Sequence, residues 1–237
     1  LHTQVREIRR RVFKEVAQLG FKADADTLLA DMEAIPYAIV NEDSEKYRES
    51  VYRARAIVRE RLRLAMGLSL RPENKPVHLT AGVEASNISE KYYEPPLMQV
   101  IPSACESCEE NKYEVSNICK GCLAHPCQEV CPKDAISMVN GRSYIDQEKC
   151  IQCGRCIDVC PYQAIIQQKR PCASACGIDA ISSDQYGRAK IDYDKCVSCG
   201  MCLVNCPFGA IVDKGQIFQM IQAMKEGHQV YAAVAPA

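Results

Sequence analysis

The sequence predicts an α+β chain in which an N-terminal helical segment precedes two nested cysteine-rich units. Three observations predict it. Apolar residues recur at helical spacing through the first 66 residues, all sixteen cysteines fall between residues 105 and 206, and the cysteine region repeats itself. At 237 residues there is room for two domains, and 47% hydrophobic with 25% charged residues is the balance of an ordinary folded chain. The net charge of −1 and a mildly basic first third give nucleic-acid binding little support. No apolar stretch suggests a membrane span, and a wealth of thiols points to a reducing, cytoplasmic setting. No Ser-His-Asp set, phosphate-binding loop or nucleotide-binding glycine fingerprint appears.

Residues 1–78 read as the helical domain. Val5, Ile8, Val12, Val16 and Leu19 share one face of a helix over 4–19, and Gly20 is expected to end it. A second helix starts near Asp26 and is expected to break near Pro36. A third runs from about Ser44 to Met66, with Val51, Ile57, Val58, Leu62 and Ala65 set against Arg53, Arg55, Arg59, Arg61 and Arg63. That arginine face either steers an acidic redox partner or is solvated and paired within the chain. Residues 67–104, proline-rich and without periodicity, read as a linker laid over the surface. Residues 79–108 accordingly hold linker plus a first cysteine pair.

Two runs then carry the chemistry, Cys150-Ile-Gln-Cys153-Gly-Arg-Cys156-Ile-Asp-Val-Cys160-Pro161 and Cys196-Val-Ser-Cys199-Gly-Met-Cys202-Leu-Val-Asn-Cys206-Pro207. Both spell C-x-x-C-x-x-C-x-x-x-C-P, the spacing of iron-sulfur ligation, in which the fourth cysteine serves a neighbouring cluster. Disulfides are a poor alternative, because neighbouring thiols in such a loop make badly shaped bridges. Zinc usually takes two C-x-x-C knuckles separated by a longer loop, which is not the pattern here. The segment Asp134-Ala135-Ile136-Ser137 to Lys149-Cys150 is repeated as Asp179-Ala180-Ile181-Ser182 to Lys195-Cys196, and Ala164-Ile165 and Ala210-Ile211 follow the closing prolines. Each copy predicts a hairpin, turning at Asn140-Gly141 in the first and at Gly187 in the second. Such a repeat is how a bacterial dicluster ferredoxin is built.

Crossing the fourth ligands assigns the unit over 109–170. Cys119, Cys122 and Cys127 take Cys160, while Cys150, Cys153 and Cys156 take Cys131. The second unit lacks two ligands in its first half, which Cys105 and Cys108 can supply if 109–170 is inserted into it. Residues 171–212 then complete that outer unit. Its groups are Cys105, Cys108 and Cys172 with Cys206, and Cys196, Cys199 and Cys202 with Cys176. All sixteen cysteines are used, predicting four 4Fe-4S clusters; the alternative is that Cys105 and Cys108 are free or bind something else. Gly154, Gly200 and Gly209 mark close backbone approach or plain turns. Ile136, Ile151, Ile165, Ile181, Val197 and Ile211 are expected to wall the clusters. His125 reads as a loop histidine bonded locally rather than a ligand, and Tyr144, Tyr162, Tyr186, Tyr193 and Phe208 as packing rather than relays.

The sixteen-cysteine pattern, the stretch Ile57-Val58-Arg59-Glu60-Arg61-Leu62-Arg63-Leu64-Ala65-Met66-Gly67, Cys206-Pro207-Phe208-Gly209-Ala210-Ile211 and the terminal Val230-Tyr231-Ala232-Ala233-Val234-Ala235-Pro236-Ala237 resemble the front part of monomeric FeFe-hydrogenases. The resemblance covers the whole chain, though only the cysteine motifs are individually specific. It implies that residues 213–237 form a helix and strand leading into an absent catalytic domain, which would hold the H-cluster in cis. It also implies electron relay between a soluble carrier such as ferredoxin and that H-cluster. The chain alone would not catalyse hydrogen chemistry, since it carries no diiron site. A four-cluster subunit resembling those of molybdenum-cofactor oxidoreductases, and an iron-sulfur redox or oxygen sensor, are the competing readings.

Overall fold

The computed structural model describes residues 3–22, 26–41, 47–86 and 95–233. Three amphipathic helices open the chain, α1 (Gln4–Lys22), α2 (Leu28–Ile39) and α3 (Val51–Ala65). Ile8, Val12, Val16 and Leu19 of α1 meet Leu28, Met32, Ile35 and Ile39 of α2 and Val58, Leu62 and Ala65 of α3 in one apolar core. Burial of these stripes, far more than intrinsic propensity, holds the helices.

Two expected helix breaks do not occur. The first helix runs through Gly20, whose missing side chain admits another helix: a Cβ there would lie 3.0 Å from Ile221. The second runs through Pro36, because Leu28, Met32, Ile35 and Ile39 form a continuous buried stripe and Val40 N–H still closes on the Pro36 carbonyl. The third begins later than expected, at Val51. Ser50 caps it, its Oγ accepting from the N–H groups of Tyr52 (3.2 Å) and Arg53 (3.5 Å). Ser50→Ala is expected to cost about 1 kcal/mol in thermal or denaturant unfolding.

The stretch read as a surface linker is anchored in the cores at several points, while residues 72–76 are exposed as expected. Leu68, Leu79 and Val83 join the helical core, the last from a short helix α4 (Val83–Ser86), and Ile101 and Ala104 are fully buried elsewhere. Single well-placed apolar residues do this without any periodicity, so the pattern hid them.

Among the described residues, eight short strands make four antiparallel pairs. β1 (Met98–Val100) pairs with β8 (Ile211–Asp213), and β6 (Ile181–Ser183) with β7 (Ala189–Ile191). Between β1 and β6 in sequence lie the other two pairs, β2 (Lys112–Val115) with β5 (Ile165–Gln168) and β3 (Ile136–Val139) with β4 (Arg142–Ile145). The β3–β4 turn has Asn140 and Gly141 both at positive φ, 49° and 73°, the handedness that suits a twisted two-residue hairpin. The chain closes with α9 (Ile217–Lys225), whose Phe218 enters the helical core. Residues 226–233 contain no strand, and the strand expected over 230–235 extends from 234 outside the described residues.

α3 joins the helical core to the β1·β8 side. Ile57 and Leu64 pack with Ile101, Ala104, Ala210 and Val212, and Gly215 N–H donates to the Leu64 carbonyl at 2.9 Å. The arginines of α3 are spent within the chain. Arg53 pairs with Glu49 and Glu106. Arg55 donates to the Val40 carbonyl and lies over Tyr37, while Arg59 pairs with Glu33. Arg61 and Arg63 are buried, donating to the carbonyls of Gly209 and of Ser69, Leu79 and Ala81. Of the two readings of that face, internal pairing holds. No helix among the described residues is long and apolar enough to cross a membrane.

Candidate functional site

Four half-motifs share one backbone design. In each C-x-x-C the residue before the second cysteine has positive φ: Ser107 47°, Gly121 59°, Gln152 57° and Ser198 58°. The third cysteine is the second residue of a short helix, Cys127 in α5 (Pro126–Glu129), Cys156 in α6 (Arg155–Asp158), Cys172 in α7 (Pro171–Ser174) and Cys202 in α8 (Met201–Asn205). The fourth cysteine accepts on Sγ from the N–H four residues on. Ala135 to Cys131, Ala164 to Cys160, Ala180 to Cys176 and Ala210 to Cys206 all measure 3.3 Å. A residue at positive φ, Asp134, Gln163, Asp179 or Gly209, turns each amide back on its sulfur. Cys176 keeps this turn although Gly177 stands where the others have proline, so the left-handed residue, and not the proline, fixes the geometry. An N–H aimed at Sγ favours the thiolate, the form that binds metal.

The structure gathers eight of the cysteines around two hollows. Cys119, Cys122, Cys127 and Cys160 line one hollow, walled by Val115, Ala164 and Ile165. Cys131, Cys150, Cys153 and Cys156 line a second, walled by Ala135, Ile136, Ile145 and Tyr113. In the outer pair of half-motifs, burial pushes the Cys172 thiol up to about 11, with Cys206 and Cys105 close enough to add to it. Cys108 is raised by burial and then by Cys105 and Cys206. Cys202 is raised by burial, with Cys196 and Cys176 contributing. Cys199 is exposed. Burial also lifts Cys156 to about 11, whereas hydrogen bonding from Ser143 and Gly121 holds Cys119 below the ordinary thiol range. Loading metal onto the raised thiols must therefore release protons.

The donor set fits a polynuclear cluster. Every cysteine is a free thiol. Four cysteines line each hollow, and among the described residues no group of three Cys, His, Asp or Glu is placed to hold a single metal ion. Apolar walls and sulfur-directed amides are what an iron-sulfur cube needs for ligation, dryness and tuning.

Several side chains stand elsewhere than expected. Ile136, Ile165 and Ile211 are buried and Ile181 partly so; Ile151 lines the second hollow while staying 55% exposed, and Val197 is 69% exposed. Tyr144, Tyr162, Tyr186 and Tyr193 are exposed and pack no core. Phe208 is partly buried beneath Arg48. His125 lines neither hollow and makes no side-chain cap; it supplies a left-handed residue, φ 41°, ahead of α5. Gly209 is needed for the helices, since a Cβ there would sit 2.5 Å from Val5 and 2.7 Å from Arg61. Gly154 and Gly200 hold left-handed turns, φ 82° and 78°.

Sequence reasoning missed Tyr113, buried in the second hollow, and Ser143, whose Oγ lies 3.3 Å from Cys127 Sγ. It also missed Arg170, whose Nε and Nη2 donate to the Cys108 carbonyl at 3.1 and 2.6 Å. Comparing Arg170 with Gly154 and Gly200, each two residues before a third cysteine, was the signal available.

Residues 119–170 match the family described as LdpA Fe-S cluster-binding domain, and residues 188–211 match the 4Fe-4S binding domain. An uncharacterized ferredoxin of Methanocaldococcus jannaschii is 37% identical over 62 residues, covering 26% of this chain and 37% of that protein. A second uncharacterized ferredoxin of the same organism is 31% identical over 110 residues, 37% of this chain and 70% of its own length. The electron transport protein HydN of Escherichia coli is 41% identical over 56 residues, 24% of this chain and 32% of HydN. The chain thus spans about a third of the first and third of these relatives and over two thirds of the second.

Proposed function

The chain belongs to the ferredoxins, iron-sulfur proteins of electron transfer, and from that premise we propose that it is a four-cluster wire. The observation that carries this reading is the fourfold Sγ-to-alanine amide contact, one for each half-motif. In this reading Cys119, Cys122, Cys127 and Cys160 hold one 4Fe-4S cluster and Cys131, Cys150, Cys153 and Cys156 a second. Cys105, Cys108, Cys172 and Cys206 hold a third, and Cys176, Cys196, Cys199 and Cys202 a fourth. Cys105-Glu106-Ser107-Cys108 repeats the left-handed turn of the other three loops, which supports its use as a ligand pair. The order of strand pairs supports two dicluster units, the one with β2–β5 inserted into the one with β1 and β6–β8.

When bound, a cubane supplies a one-electron site that needs little rearrangement. The chain's own part is to hold thiolates, aim amides at sulfur and keep water from the hollows with Ile136, Ile165 and Ile211. At the ends of the wire we place a soluble carrier such as ferredoxin and an H-cluster domain. The resemblance of residues 57–67 and 206–211 to FeFe-hydrogenases supports the second. Anaerobic mixing with excess reduced ferredoxin should bleach the visible charge-transfer bands with about four electrons taken up per chain, one per cluster. Uptake of about two would contradict the four-cluster wire.

A further inference from the structure

Arg170 breaks the symmetry of the four half-motifs. The residue two before the third cysteine is left-handed in three of them, His125, Gly154 and Gly200, but Arg170 is extended at φ −63°, ψ 118°. Its side chain turns inward and is 3% exposed. Besides both bonds to the Cys108 carbonyl, Nη2 donates to Ser183 Oγ at 2.8 Å and to the Gly187 carbonyl at 2.7 Å. Nη1 is buried without a hydrogen-bond partner among the described residues. The carboxylate of Glu110 stands 3.8 Å away, is 45% exposed and is already bonded to Ser183. A dry guanidinium without a tight counterion is costly, and an anion is what would relieve it.

Two further arginines grip the loops of the same cysteine group. Arg48 Nη2 donates to the carbonyls of Ala104 (3.2 Å) and Phe208 (2.7 Å) while its Nη1 pairs with Glu106 (2.8 Å), and Arg61, without such a carboxylate, donates to the carbonyl of Gly209. Ala104 adjoins Cys105, and Phe208 and Gly209 follow Cys206. Arg61 is 2% exposed, its Nε and Nη1 make no hydrogen bond among the described residues, and its polar neighbour is the Tyr47 hydroxyl rather than a carboxylate. Among the described residues, no other cysteine group has a buried arginine bonded to the loops that carry it.

Resting on the four-cluster reading, we propose that this arginine collar makes the Cys105, Cys108, Cys172 and Cys206 site the highest-potential position of the wire, where the electron settles beside the helical core. Thiolate-ligated clusters are anionic, and reduction adds one more negative charge. A buried cation stabilises that added charge, so the potential rises. At an effective interior dielectric of about 20, a unit charge within several ångströms shifts a one-electron equilibrium at least tenfold. The cluster in turn would be the tight counterion that Arg170 and Arg61 do not find among the described residues.

The test is an EPR-monitored redox titration of the loaded full chain under anaerobic conditions, comparing Arg170→Gln and Arg170→Lys with the unaltered protein. One midpoint should fall in Arg170→Gln by at least tenfold in the reduced-to-oxidised ratio, about 59 mV for one electron. The other three should stay, and Arg170→Lys should recover most of the shift. Four unmoved midpoints at full iron content would overturn the proposal. If Arg170→Gln does not load, Cys105→Ala decides. The component reduced at the highest potential should vanish, and disappearance of a lower-potential one would overturn the proposal. An iron count short of four clusters in the unaltered protein would instead remove the four-cluster reading itself.

Discussion

Cys105→Ala is expected to lower the iron of anaerobically purified protein from about sixteen to about twelve atoms per chain, one cube's worth. Cys105 follows the single 3-10 turn Pro102–Ala104, and its Sγ accepts from Ala189 N–H at 3.4 Å, which ties it to β7. The two inner hollows are lined by eight other cysteines and framed by their own strand pairs, so their loading should survive. Removing one thiolate leaves its cluster with three protein ligands. Iron unchanged at the level of the unaltered protein would show that Cys105 is not a ligand and would undo the nested pairing.

Gly121→Ala should be comparably severe by a different route. Gly121 has φ +59°, and a Cβ there would lie 2.1 Å from the Gly141 carbonyl oxygen and 3.1 Å from its carbon. Both partners are backbone, so no side chain can swing away, and either the Cys119–Cys122 loop or the β3–β4 turn must move. Left-handed strain and overpacking together cost about 2–5 kcal/mol. The loop carries two ligands of the first hollow, so the expected result is a lower melting temperature together with loss of about four irons. Gly141→Ala is the control. Gly141 has φ +73° and nothing within 4 Å of its added Cβ, so only the left-handed term of about 1–2 kcal/mol applies and the iron should remain. Equal behaviour of the two variants would contradict the steric account.

The cysteine region was legible because there the spacing is itself the chemistry. A C-x-x-C-x-x-C loop, an alanine four residues past the last cysteine and an Asn140-Gly141 turn each allow little but the structure observed. Residues whose role depends on a distant partner were not legible. Arg61 and Arg63 look like a solvated helix face until the 206–210 loop and residues 69–81 are laid over them. Gly20 reads as a terminator because nothing local announces Ile221. Leu79 and Ile101 sit in aperiodic sequence, and only their burial reveals that the apparent linker is structural. Arg170 carries no local signal either, because its partners Cys108, Ser183 and Gly187 lie far from it in sequence.

The pairing of sixteen cysteines into four sites is tested most directly by iron and acid-labile sulfide per chain on anaerobically purified, unaltered protein. About sixteen of each, with coupled EPR signals on reduction, is the result expected of four cubes. About eight of each would contradict it, confining clusters to two sites and leaving half of the cysteines without iron.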